Sequence, residues 1–262
     1  MAEVLTLNEF ATELSLSWDG LIPADIEHAG NLTAARPYEK VKTEQGGDQY
    51  RPSPEGAVQR DYGRGILLWL LAQRYQPSAA LEIGFGRGFG TYCLVKAAKQ
   101  FGGIVVSIDQ LDFDVKFRGC VYPDGDKKLV TTRRKVITDL LRSSDLREQE
   151  DKLVLRTGTS ESILPNLSDG SYQLVFVDGA HHREGVEFDI GEAQRICPHG
   201  IVVFHDYRCP VTKGVTQALD AHVSELEDRY TLFQVVTDGW IDDQTYRVFS
   251  GIDSCILVCV AK

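Results

Sequence analysis

A mostly parallel α/β sheet of seven strands, covered by helices and closed by an antiparallel last strand, is predicted from three observations. Short apolar runs alternate with helical stretches along most of the chain. The first of these runs breaks into a glycine-rich turn, Leu81-Glu-Ile-Gly-Phe-Gly-Arg-Gly-Phe-Gly90. The second ends on an acid, Asp109. A strand that passes through glycines into a helix start is a place to hold a ligand by its backbone.

The elements follow in order. Residues 1–57 are poorly periodic and punctuated by Pro37, Gly46-Gly47, Pro52 and Pro54, which predicts an N-terminal arm or partial lid. Residues 58–262 then form the main domain. Residues 58–75 read as a helix with a very apolar second half. Leu81–Ile83 is the first strand, Gly88–Gln100 a helix, and Ile104–Asp109 the second strand. Residues 111–130 read as a loop, with Pro123-Asp-Gly-Asp126 as a turn, placed to border an active site. Thr131–Leu141 is helical, Lys152–Arg156 the third strand, and Ser160–Leu167 a short helix or turn. Tyr172–Asp178 and Gly200–Asp206 are the fourth and fifth strands, each followed by a helix, over 186–196 and 211–226. Thr231–Val236 and Ile256–Val260 close the sheet as an antiparallel pair.

At 262 residues, 43% of them hydrophobic, the chain can bury the core of one large domain. A formal charge of −10 argues against a nucleic-acid partner, because a groove that tracks a polyanion needs a positive field. The longest purely apolar run, Ile66–Ala72, is far short of a membrane span. Met1-Ala-Glu-Val opens without a basic region or apolar core, so no secretion signal is read. Six cysteines, at 93, 120, 197, 209, 255 and 259, form no C-x-x-C pair. A reduced, cytoplasmic protein is expected.

Gly84, Gly86 and Gly88 allow a ligand to approach the turn closely, but their spacing does not match the dinucleotide pattern G-x-G-x-x-G. Glu82, two residues before the first glycine, either orients the turn or meets the ligand. Asp109 is placed to accept hydrogen bonds from two ribose hydroxyls. Ser160, after the third strand, either caps the following helix or meets a base edge. A G-x-G-x-G turn with this preceding acid resembles the first motif of the S-adenosylmethionine methyltransferases.

The strand ends at 178 and 206 carry the chemistry. Asp178 and Asp206 project from neighbouring strand ends if the sheet order is the usual one. Two converging carboxylates are costly unless something positive lies between them, and a divalent cation, magnesium or manganese, is the simplest answer. His205 either adds a nitrogen ligand or faces the core, as strand alternation favours. His181, on the loop beyond Asp178, suits a general base near neutral pH, and the adjacent His182 is an alternative.

Asp178-Gly-Ala-His181, Val186, Asp189 and His205-Asp206 together resemble a family of metal-dependent class I methyltransferases. The family includes macrolide-sugar and rhamnosyl O-methyltransferases and a related cephalosporin-cluster protein. Its motif reads approximately D-G-x-H-x-x-x-x-V-x-x-D, and the resemblance covers roughly residues 60–260. It implies a Rossmann-like class I methyltransferase fold and an S-adenosylmethionine site that includes Asp178. It also implies metal ligation by Asp178 and Asp206, and base duty for His181. Many relatives carry Glu-Asp where this chain has His205-Asp206. The implied substrate is a small hydroxylated molecule, such as a sugar or polyhydroxylated natural product. Relatives commonly assemble, so a homo-oligomer is an expectation. Two other activities compete: metal-independent N-methylation, which would survive chelation, and nicotinamide-dependent oxidoreduction, which the glycine spacing opposes. Tyr38, Tyr50, Tyr122 and Trp240 either line an aromatic substrate pocket or cover the core edge.

Overall fold

The computed structural model describes residues 4–16, 29, 38–42, 48–52, 62–120, 128–209, 212–237 and 255–262. Tyr122 and Trp240 lie outside the described residues, and so do the side chains of Tyr38 and Tyr50. The chain begins with β1 (Val4–Thr6), α1 (Leu7–Glu13), and the hairpin strands β2 (Tyr38–Lys42) and β3 (Asp48–Pro52). The alternating part runs α2 (Tyr62–Tyr75), β4 (Ala79–Ile83), α3 (Phe89–Phe101) and β5 (Ile104–Asp109). It continues through β6 (Lys116–Cys120), β7 (Lys128–Thr132), α4 (Arg133–Ser143) and β8 (Leu153–Thr157). Next come α5 (Ser160–Ile163), β9 (Leu174–Val177), α6 (Arg183–Ile196) and β10 (Ile201–Tyr207). It ends with α7 (Lys213–Arg229), β11 (Tyr230–Val236) and β12 (Cys255–Ala261).

The main sheet has the order β1-β11-β12-β10-β9-β4-β5-β8. Its pairs are parallel except where β12 enters antiparallel between β10 and β11. The seven predicted strands are present with the predicted antiparallel close. The eighth, β1, was not read from the sequence, because three residues are too few for a period to show. It leads directly into α1 through a capping box. The Glu9 amide donates to Thr6 Oγ1 at 3.3 Å and the Thr6 amide donates to Glu9 Oε2 at 2.8 Å.

Alternation along the strands divides the core in two. Leu174 and Phe176 face one side with α1, α2 and α3, where Phe10, Trp69 and Tyr92 are buried. Val175 and Val177 face the other with α6 and α7. Within the segment 111–130, read as a loop, the described residues from Lys116 on form strands: β6 pairs antiparallel with β7 from Lys116↔Thr132 to Cys120↔Lys128. This two-stranded ribbon stands apart from the main sheet. The predicted helix start at Thr131 moves two residues on. Thr132 is instead the N-cap of α4, its hydroxyl accepting from the Lys135 amide.

Register positions the site. β9 pairs with both β4 and β10, and this sets Ile83, Val177 and Phe204 side by side. The next residues, Gly84, Asp178 and His205-Asp206, therefore leave the sheet together at the carboxyl ends of its central strands, where open α/β sheets bind ligands.

Candidate active site

The glycine turn fits tightly against the end of β9. Gly84 has φ +95°, and a Cβ there would lie 2.1 Å from the Asp178 carbonyl oxygen. Gly88, at φ +90°, is the N-cap of α3 and supplies no side-chain cap. Gly90 lies over Glu82, whose Oε1 would meet a Cβ at 2.3 Å. Glu82 is 1% exposed. Its carboxylate is sealed beneath the turn and accepts from the Thr91 hydroxyl and, at 2.5 Å, from the Ser107 hydroxyl.

Burial pushes the Glu82 carboxyl up to about 7, with the two hydroxyls opposing the rise. The folded protein therefore holds a proton that the unfolded chain has released between about pH 4.5 and 7. The stability this proton gives is complete below that window and lost as pH rises through 7, about 3 kcal/mol in all. Urea unfolding at pH 5 and pH 8 is expected to show a smaller stability difference in Glu82→Gln than in the parent chain. An equal pH dependence in both would contradict the assignment.

Asp109 braces the turn from β5. Its Oδ2 accepts the Gly86 amide at 3.1 Å and its Oδ1 accepts the Leu111 amide at 2.8 Å. Ser160 begins α5, but Thr159 holds the N-cap position, so the capping role read for Ser160 is not the one it takes. The Ser160 hydroxyl faces Asp189, which completes the motif spacing but is fully buried in α6. Burial pushes Asp189 up to about 6, and Ser160 opposes that rise without a hydrogen bond of good geometry. Asp189 is not among the groups that converge on Asp178.

Asp178, His205 and Asp206 do converge: one ligand-capable atom from each lies within 4.8 Å of the others. His205 Nδ1 is 3.1 Å from Asp178 Oδ1 and 3.0 Å from Asp206 Oδ1. His205 stays on the face that strand alternation gives it, its ring edge-on to Phe176 with centroids 6.2 Å apart, and it still meets both acids. The register of β10 against β12 jumps between Phe204 and Tyr207, with Asp206 at φ +60°. The extra residue lets His205 and Asp206 reach one site, as bulges beside active sites do. His181 Nε2 extends the chain of contacts, 3.3 Å from Asp206 Oδ2, on a ring about half exposed. His182 is the N-cap residue of α6 and its ring packs over Gly185, so His181 is the member of the pair that meets Asp206.

Sequence reasoning missed Arg64. Its Nη1 donates to Asp178 Oδ2 at 2.7 Å, across 114 positions of sequence. The signal was available: a lone arginine between two glycines at the head of an apolar helix, Gly63-Arg-Gly-Ile-Leu-Leu-Trp69. Burial pushes the Asp178 carboxyl up, but His205, Arg64 and His181 more than offset it and hold it below the usual carboxylate range. Burial likewise opposes charge on His205, yet Asp178 and Asp206 raise the ring well above ordinary imidazole.

The fold is that of the class I methyltransferases. Residues 81–207 match the family model described as a methyltransferase domain. Among curated proteins, a provisionally named O-methyltransferase of Mycobacterium sp. (strain JLS) is 24% identical over 164 residues. That match covers 63% of this chain and 64% of the relative. Solved structures of similar fold include the O-methyltransferase TomG from Streptomyces achromogenes, in complex with SAM. It has a TM-score of 0.51 and 18% identity, over 97% of this chain and 95% of that one. Cofactor-bound Rv0187 from MTB has a TM-score of 0.52 and 17% identity over 98% of each chain. The Bacillus cereus O-methyltransferase in complex with SAH has a TM-score of 0.50 and 18% identity, over 79% of this chain and 84% of that one.

Among the described residues, no helix is long and apolar enough to cross a membrane. Cys93, Cys197, Cys209, Cys255 and Cys259 are buried and outside any disulfide.

Proposed function

We propose that this chain is a divalent-metal-dependent O-methyltransferase, moving the methyl of S-adenosylmethionine to a hydroxyl of a small molecule, such as a sugar or polyhydroxylated natural product. The observation that carries the reading is the convergence of Asp178, His205 and Asp206 beside the glycine turn, with His181 in contact. Solved relatives of the same fold hold this donor or its product, which supports the donor assignment.

The turn at Gly84, Gly86 and Gly88 and the carboxylate of Asp109 suit the donor. A Cβ at Gly86 would meet nothing within 4 Å, so the turn presents an open face there. Asp109 takes the ribose hydroxyls, and Ser160 lies on the base side, beyond β5. Glu82 keeps the turn in shape from below.

Two carboxylates and an imidazole nitrogen suit a hard divalent ion completed by waters. Asp178, Asp206 and neutral His205 would hold it, and it would lower the pKa of a coordinated hydroxyl. The chain supplies the rest. His181, steadied by Asp206, takes the hydroxyl proton. The sheet end fixes acceptor and donor in line, which displacement at a methyl carbon requires. The segments 1–57 and 111–130 are the candidates for the substrate walls.

One observation favours a second reading, metal-independent N-methylation. Arg64 and His205 already offset the charge of the two acids without any ion. Chelation separates the two. Turnover of a vicinal-diol acceptor is expected to fall to background with a chelator and to return with magnesium or manganese. Diol methylation unchanged by chelation would remove the metal from the reaction, and chelation-resistant transfer to an amine acceptor, with none to the diol, would move the assignment to the second reading.

A further inference from the structure

Arg64 has a place in the fold that the metal reading does not use. It lies in the first turn of α2, between two glycines that let this helix end approach its neighbours closely. A Cβ at Gly63 would lie 2.4 Å from the Thr237 carbonyl oxygen, and one at Gly65 would lie 2.5 Å from the Phe89 ring. The head of α2 is thus fixed against the head of α3. From there the guanidinium sits 5.8 Å from the centroid of Phe89 and 6.0 Å from that of Phe176. Phe89 is the first residue of α3, immediately after Gly88. Asp178, which Arg64 holds at 2.7 Å, touches Gly84 through its backbone. The cation therefore stands at the β9 side of the glycine turn, opposite Asp109 on β5.

A donor anchored by its ribose at Asp109 must cross that turn to bring its sulfur near Asp178. Its methionyl end then reaches the β9 side, carrying a free carboxylate. That carboxylate enters a region already holding Asp178 and Asp206, and without a cation it would be repelled. A guanidinium offers five N–H donors in a planar fork that matches carboxylate geometry. Packing over two aromatic rings fixes the fork before any ligand arrives.

We propose that Arg64 binds the carboxylate of the donor's methionyl part while staying within reach of Asp178, making it the group that reads the amino-acid end of the donor. This rests on the donor assignment above and adds a residue to it.

The test is calorimetric binding of two probes. S-adenosylhomocysteine carries the carboxylate, and 5′-methylthioadenosine keeps the nucleoside and sulfur without the amino-acid part. Arg64→Met is expected to weaken S-adenosylhomocysteine about 10- to 100-fold, the range for losing a charge-assisted hydrogen bond. Affinity for 5′-methylthioadenosine is expected to stay within about two-fold of the parent chain, which also reports that the turn is still folded. Arg64→Lys, which keeps the charge but not the fork, is expected to fall between. Equal weakening of both probes would assign Arg64 a purely structural role, and no weakening of either would remove it from the donor site. If the unmutated chain bound neither probe, the donor assignment itself would fall.

Discussion

On the metal-dependent reading proposed above, Asp178→Ala is expected to lower methyl transfer by about 10³-fold or more, the several kcal/mol that removal of an ion-binding carboxylate costs a metal-assisted reaction. Three groups depend on this side chain. It carries an ion pair with Arg64 at 2.7 Å, a contact with His205 at 3.1 Å, and one of the three converging ligand positions. The alanine variant also leaves two cations facing a gap, so stability is expected to fall with activity. Asp178→Asn separates the effects. It keeps the shape and can still accept from Arg64, yet it lacks the charge that a cation needs. Steady-state turnover with circular dichroism on both variants gives the answer. The expected result is a folded asparagine variant as inactive as the alanine one. Turnover within ten-fold of the parent in either variant would remove Asp178 from the chemistry.

Gly84→Ala is expected to have the largest structural effect of a one-carbon change in the described chain. Two costs combine. The backbone is left-handed at φ +95°, where an L side chain is strained by roughly 1–2 kcal/mol. The new carbon would also sit 2.1 Å from the Asp178 carbonyl oxygen, and neither partner can easily retreat. The Gly84 amide is tied to Ile108 O at 2.9 Å and the Asp178 amide to Ile83 O at 2.8 Å. Relief requires prising β4 from β9, so a total loss of about 4 kcal/mol is expected, together with loss of donor binding. Gly86→Ala is the internal control. It is also left-handed, at φ +55°, but meets no atom within 4 Å, so about 1 kcal/mol is expected. Urea unfolding of the two variants compares them directly. Similar losses for both would show that the contact with Asp178 carries no weight.

Much of this was legible because the central strands are short, apolar and regularly spaced by helices, which is what a parallel sheet demands. Asp109, Asp178 and Asp206 were readable as strand-end acids for the same reason. Three features were not. The meeting of His205 with Asp206 was not readable because period-two alternation puts neighbours on opposite faces, and one extra residue in β10 cancels that at Asp206. The strands β6 and β7 were read as loop because a two-stranded ribbon outside the main sheet takes no part in the regular alternation of strands and helices. Arg64 was missed because pairing with Asp178 is a long-range contact that no local window contains. By contrast, Thr6-Leu-Asn-Glu9 was a readable helix start that the irregularity of its surroundings obscured.

Because Gly84, Asp178 and His205-Asp206 hang from adjacent rungs of one ladder, their spacing is indifferent to the length of the helical connections between them. Insertions or deletions in those connections can reshape the surrounding surface without displacing these groups. A shift by one residue inside β9 has the opposite consequence: it would exchange the two sides of the strand and turn Asp178 away. Such a scaffold can diversify in what it recognises while its chemistry stays where it is.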